Sequence, residues 1–276
     1  MHTNRLKEQQ QLKTNINNTG IAYDDHGAGQ PILFLHAFPL NRSMWKSQID
    51  ALLKEQRYRL VSLDWRGFGE SDIGSGVSTM EQLADDVAGL MDTLGMHNAI
   101  LCGLSMGGYV AFAFLRKYPQ RVSGLILSDT RPGADNEEGK TNREKVALLA
   151  ESQGPGAIAD LQLPRLISDY TRTNHPEVEI AIRQMIYAAT AQGIAAASRG
   201  MAQRSDSTDL LPTISCPTLV LVGENDSLTP PNVAQAYASQ IPAAQFTVLP
   251  SAGHLSNLEQ PQAFFDAVYN FLRATF

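Results

Sequence analysis

Short apolar runs alternate along this chain with longer stretches of helical periodicity, and that alternation restricts its fold more than any other feature. The runs are 31–35, 58–64, 99–102, 122–128, 216–223 and 246–249. Helical spacing follows most of them. It spans about 43–53, then 79–94, where Leu83, Val87, Leu90, Met91 and Leu94 share one face behind a capping Ser78 or Thr79. Residues 106–118 form the next such stretch, and a final one carries Phe264, Phe265, Val268, Phe271 and Leu272. Buried strands that alternate with helices predict an α/β fold, with a mostly parallel central sheet flanked by helices.

The alternation breaks at Arg131-Pro132-Gly133-Ala134-Asp135. From there to about Thr208 only helix signals recur, over 142–151, 158–167 and 177–190, with Pro176 suited to the first turn of the last. The expected organisation is an N-terminal tail at 1–18, a core at 19–130 and 209–276, and a helical lid at 131–208 inserted between two strands. With 276 residues, 43% hydrophobic and 18% charged, the chain can enclose one sizeable core. A net charge of −6 without any basic block argues against nucleic-acid binding. The N-terminal stretch holds no apolar segment of signal-peptide length, and no run reaches the roughly 18 apolar residues of a membrane span. A cytoplasmic protein that binds no membrane is the expectation. The two cysteines, Cys102 and Cys216, sit beside apolar runs and read as buried core thiols rather than as a disulfide or metal set.

Gly103-Leu104-Ser105-Met106-Gly107 fits the pattern G-x-S-x-G, with a strand before it and a helix after it. A sharp strand-to-helix turn strains such a serine and exposes its hydroxyl, and glycines beside it admit the neighbouring chain. The turn also aims a helix N-terminus, which favours negative charge, at the same place. A serine hydroxyl is a poor nucleophile alone and needs a base. Of the six histidines, His2, His26, His97 and His175 read as surface residues, whereas His36 and His254 sit in loops after strands. Such loops, at the C-terminal ends of parallel strands, face the crevice where ligands bind. His254 is the candidate base. Asp226, in Gly223-Glu224-Asn225-Asp226, is the candidate acid that orients it, with Glu224 and Asp129 as alternatives. The chain order Ser105, Asp226, His254 is that of α/β-hydrolases rather than of chymotrypsin-like or subtilisin-like enzymes.

Several motifs in one order carry a wider resemblance. His36-Ala37-Phe38-Pro39, the stretch Asp64-Trp65-Arg66-Gly67-Phe68-Gly69-Glu70-Ser71, Gly103 to Gly108, Gly223 to Asp226, and Gly253-His254 together resemble the α/β-hydrolase fold superfamily across about residues 19–276. The finer likeness is to lid-bearing 3-oxoadipate enol-lactonases and related esterases. That resemblance implies an oxyanion hole formed by the backbone N–H groups of Phe38 and Met106, and it implies no cofactor and no metal. Ala37 stands where many relatives carry glycine; it still offers an N–H but restricts the backbone. His36 reads as a brace for this loop, and residues 64–71 read as scaffold. By adjacency alone, Phe38 and Leu255 are expected to line a substrate pocket.

The implied activity is hydrolysis of a small carboxylic ester or lactone through an acyl-enzyme on Ser105. A cofactor-free perhydrolase or haloperoxidase, or a carbon–carbon bond hydrolase, would use the same three residues. A slow-turnover ligand sensor acting through a protein partner is a reading of another class, although no partner motif is visible. An aminopeptidase would need lid acids to bind an amine. Glu151, Asp160, Asp169, Glu177 and Glu179 read instead as solvated surface charges.

Overall fold

The computed structural model describes residues 12–276. Strands β1 (Leu12–Ile16), β2 (Thr19–Gly27), β3 (Gln30–Leu35), β4 (Tyr58–Leu63), β5 (Ala99–Leu104), β6 (Val122–Ser128), β7 (Thr218–Gly223) and β8 (Gln245–Leu249) form one sheet in the order β1-β2-β4-β3-β5-β6-β7-β8. From β4 to β8 every pairing is parallel, whereas β1–β2 and β2–β4 are antiparallel. All residues of β5 and of β7 are buried. Two-sided burial is why these strands read as unbroken apolar runs.

The helices are α1 (Lys46–Leu53), α2 (Met80–Thr93), α3 (Met106–Lys117), α4 (Glu137–Leu166), α5 (Asp169–Asn174), α6 (Pro176–Tyr187), α7 (Ala191–Ala202), α8 (Pro231–Ala238), α9 (Ser256–Glu259) and α10 (Pro261–Thr275). Right-handed crossovers divide them between the two faces. The step from β3 to β4 runs one way along the sheet, and those from β4 to β5, β5 to β6 and β7 to β8 run the other way. Helix α1 therefore lies on one face, and α2, α3 and α8 lie on the opposite one. Ring contacts agree: Trp45, just before α1, meets Phe264 of α10 at 6.0 Å, and Phe112 of α3 meets Tyr237 of α8 at 6.4 Å. The reversal of direction between β3 and β5 makes a crevice beyond their C-terminal ends.

The expected tail needs a correction. Residues 1–11 lie outside the described residues, but Leu12–Ile16 is an edge strand paired with β2. Asn17 and Asn18 form the two-residue turn, with φ of 48° and 62°. Asparagine tolerates this left-handed backbone, which a type I′ hairpin turn requires at both positions. Strand β2 carries Asp24, Asp25 and His26, so it lacks an apolar signature; its register on β4 is supported by Arg59, which grips Asp25 through Nε at 3.0 Å and Nη2 at 2.7 Å.

Helices α4–α7 are inserted between β6 and β7 and occupy the stretch expected to be helical. Helix α4 is interrupted at Gly154, whose φ of 77° and ψ of −176° separate its two halves. Helices α5 and α7 were not anticipated. Much of α7 is alanine and glycine, and it presses on the core so closely that a Cβ at Gly200 would lie 1.8 Å from the Ser78 carbonyl oxygen. Among the described residues, no helix is long and apolar enough to cross a membrane.

Candidate active site

A single residue, Ser105, separates the end of β5 from the start of α3. Its φ of 54° and ψ of −113° lie outside the regions that ordinary side chains favour, so the surrounding structure must hold it there. Its backbone N–H donates to the Ser128 carbonyl at 3.0 Å, and its carbonyl accepts from Thr130 Oγ1 at 2.8 Å. The turn also needs a close approach by β3: a Cβ at Gly107 would lie 2.0 Å from the Leu35 carbonyl oxygen. Glycine is the residue that fits.

The loops after β5, β7 and β8 converge on one point. Ser105 Oγ lies 2.8 Å from Nε2 of His254, and Nδ1 of His254 lies 2.9 Å from Oδ2 of Asp226. Asp226 is held by its own loop: Oδ1 accepts from the N–H groups of Leu228 (2.8 Å) and Thr229 (3.0 Å), and Oδ2 accepts from Thr229 Oγ1 at 2.5 Å. The alternatives stand elsewhere. Glu224 is exposed and accepts from the Ser251 N–H at 2.9 Å. Asp129 is fully buried and accepts from the Gly223 N–H (2.8 Å), Ser128 Oγ (2.8 Å) and Ser256 Oγ.

Charge and burial set the proton affinities. Burial pushes His254 down, but the charge of Asp226, joined by Asp129 and Glu259, outweighs it and raises the imidazole above its ordinary range. Burial works to raise Asp226, yet His254 and the Thr229 donors hold it down at about 2. Asp129 is pushed up to about 7 by burial and by repulsion from Asp226. A carboxylate at Asp226 facing a basic imidazole next to a serine is the arrangement that general-base chemistry needs.

His36 has a different part. Its Nδ1 lies 2.9 Å from the Ala37 carbonyl, and its Nε2 accepts from the Trp65 N–H at 3.0 Å. Burial lowers it to about 3, so it stays neutral and ties the loop after β3 to the loop after β4. The Ala37 N–H points at Met44 Sδ, 3.2 Å away. Phe38, one residue on, lines the same cavity as Ser105 and His254. The Met106 N–H is the first of α3 and has no acceptor within the helix. Residues 64–71 are scaffold in the structure: buried Asp64 accepts from the Arg42 N–H (2.7 Å) and the Glu70 N–H (2.9 Å), and buried Arg66 pairs with Asp86 at 2.5 Å.

A cavity of about 260 Å³ lies between the core loops and the insertion, bounded by Ser105, His254 and Phe38 below and by residues of α4 and α7 above. Leu255 does not line it. That side chain is fully buried in the core, and its backbone N–H donates to the Leu166 carbonyl at 3.1 Å, which corrects the expectation from adjacency. Of the insertion's acids Asp135 lines the cavity, whereas the five weighed for binding an amine do not: Glu151 pairs with Arg199, Asp160 and Glu179 with Arg183, Asp169 with Arg172 and Glu177 with His175. Residues that the sequence did not single out line it instead, among them Tyr109, Arg131, Arg143, Arg165 and Thr229. Leu228 follows Asp226 at the spacing of an Asx turn, with Thr229 next to it, a local signal in the sequence; the arginines have none. Cys102 is buried as expected, but Cys216 is only half-buried. A larger cavity, about 450 Å³, opens between Asp24, His26 and Lys46, away from the serine.

The comparisons with known proteins agree with the fold. A family model described as alpha/beta hydrolase fold matches residues 30–261. A thermophilic esterase of Thermogutta terrifontis, solved with malate bound, is 50% identical, with a TM-score of 0.92 and coverage of 96% of this chain and 98% of that one. The enol-lactonase of Burkholderia xenovorans is 31% identical with a TM-score of 0.88, covering 95% of this chain and 100% of that one. A 3-oxoadipate enol-lactonase of Acinetobacter baylyi is 30% identical over 243 residues, 88% of each chain. By sequence and by fold, the chain belongs to the alpha/beta hydrolase fold family.

Proposed function

We propose that the chain hydrolyses small carboxylic esters or lactones through an acyl-enzyme on Ser105. The observation that carries this reading is the continuous hydrogen-bonded line from Ser105 Oγ to His254 Nε2 (2.8 Å) and from His254 Nδ1 to Asp226 Oδ2 (2.9 Å). The likeness to a thermophilic esterase and to enol-lactonases supports the same bond type. His254 takes the proton of Ser105 as the oxygen attacks the carbonyl carbon. The oxyanion that forms is received by the N–H groups of Phe38 and Met106, a pair of donors each worth about 3 kcal/mol in comparable sites. His254, now protonated and stabilised by ionised Asp226, gives its proton to the leaving oxygen, and a water repeats the sequence to release the acid. The insertion acts as a lid whose α4 and α7 walls enclose the substrate.

Fluorophosphonate labelling tests this reading. Intact mass should increase by one phosphonyl group, mapped to Ser105, and Ser105→Ala should take up none while losing ester turnover by about a thousandfold or more. A folded protein that is not labelled and turns over no ester would overturn the nucleophile assignment and favour the ligand-sensor reading.

A further inference from the structure

The serine cavity ends at an aromatic ring. Tyr109 lies one turn beyond Ser105 on α3, where its backbone N–H donates to the Ser105 carbonyl at 3.2 Å, and it lines the cavity of about 260 Å³. A second, much smaller cavity of about 20 Å³ is lined by Met80, Phe112, Ala113 and Pro132, all buried, and by the exposed Arg116 and Ser205. Among the described residues, Tyr109 and Arg131 are the two that both cavities share. A side chain that bounds two separate cavities is a wall between them.

That wall is held in place. The guanidinium of Arg204 stacks on the Tyr109 ring, 4.3 Å from its centroid. Arg204 is buried just beyond α7, and it donates to the Met201 carbonyl (2.9 Å), the Gly133 carbonyl (2.9 Å) and Asp135 (2.8 Å). Tyr109 is itself buried. A ring packed between α3 and the end of the insertion has little freedom to swing aside. Arg131, the other shared residue, has a half-exposed side chain tied to Asp135 at 2.8 Å.

The chemistry decides which part of the substrate meets this wall. At the attacked carbon, the Ser105 oxygen takes one direction and the oxyanion points to the Phe38 and Met106 N–H groups. The leaving oxygen must face His254 Nε2 to receive its proton. The acyl chain takes the direction that remains, toward α3 and the insertion. We infer that the Tyr109 ring is the stop that restricts this enzyme to short acyl chains. The inference rests on the hydrolase reading above and deepens it. The size of the cavity, about 260 Å³, suits a small substrate.

Initial rates on p-nitrophenyl butanoate and octanoate test it. For the unaltered protein, kcat/KM should favour the butanoate by about tenfold or more. Tyr109→Ala should join the two cavities and raise the octanoate-to-butanoate ratio by about tenfold. Tyr109→Leu, which disturbs the packing less, should raise it by a smaller factor. Tyr109→Phe should keep the ratio within about twofold of its original value, since the ring and not the hydroxyl is the stop. Butyl and octyl acetate, which lengthen the alcohol instead, should keep their ratio in Tyr109→Ala. An unchanged acyl preference in Tyr109→Ala and Tyr109→Leu, both folded and labelled at Ser105 by the fluorophosphonate, overturns the inference, as does a change confined to the alcohol series. Absence of labelling and of turnover on every ester in the unaltered protein overturns the hydrolase reading instead.

Discussion

At the scale of single residues, two buried carboxylates near one imidazole have separate parts. Asp226 contacts His254 Nδ1 directly, whereas Asp129 joins the end of β6 to the Gly223 N–H and to Ser256. Asp226→Asn should lower kcat by about three to four orders of magnitude, since the imidazole loses its orienting anion. Asp129→Asn should cost far less in kcat, and steady-state kinetics of the two variants checks the ranking. The pH profile follows from the raised imidazole. His254 must be neutral to accept the serine proton, so kcat/KM should rise with pH through a midpoint above about 6.5. Stability runs the other way. The folded state favours protonated His254, so its contribution is complete below about 6.5 and is lost as pH rises through the folded value. Asp129→Asn should move the activity midpoint down, because one of the charges that raise His254 is gone. Ser105, Asp226 and His254 were legible in the sequence because their motifs are local: each follows a strand within a few residues. Asp129 stayed open there as an alternative to Asp226, because both follow strands; the contact of Asp226 Oδ2 with His254 Nδ1 at 2.9 Å separates them.

At the scale of elements, the turn between β5 and α3 depends on an absent side chain. Gly107→Ala would drive a Cβ against the Leu35 carbonyl, 2.0 Å away, which is backbone of a central strand and cannot yield cheaply. Unfolding in denaturant should show a loss of about 3 kcal/mol or more. Helix α2 offers a milder case. Thr79 Oγ1 accepts from the Gln82 N–H at 3.1 Å, so Thr79→Ala should cost about 1 kcal/mol by the same measurement. The strands buried on both faces and the helices with an apolar stripe were readable from spacing. Strands β1 and β2 were not. Their residues are half polar, and what makes them strands is pairing with β4 and a turn at two asparagines. Helix α7 was hidden for the opposite reason: small residues give little periodic contrast, and their purpose is a close approach visible only in the fold.

At the scale of the whole molecule, the insertion and the histidine loop are tied through one buried side chain. Glu259 Oε1 accepts from the Gly253 N–H (2.8 Å), beside His254, while Oε2 accepts from the Ser168 N–H (2.8 Å) and Thr171 Oγ1 (2.7 Å) at the start of α5. Glu259→Gln puts an amide donor against groups that are themselves donors. A loss of about 2 kcal/mol in stability is expected. A fall in kcat larger than the change in KM would accompany it, since the loop that aims His254 is loosened; thermal unfolding and steady-state kinetics together check both.

The sequence by itself determined the sheet-and-helix alternation, the place of the insertion and the three residues of the candidate site. These are local properties: burial on both faces writes an apolar run, and a strained turn between strand and helix demands glycine. Tertiary structure decided the strand order, the pairing of the polar N-terminal hairpin, the burial of Leu255 and the gathering of Arg131, Arg143 and Arg204 around the single carboxylate of Asp135. Those depend on which distant segments meet, and a charged residue that faces solvent and one that faces a cavity look alike until the chain has folded.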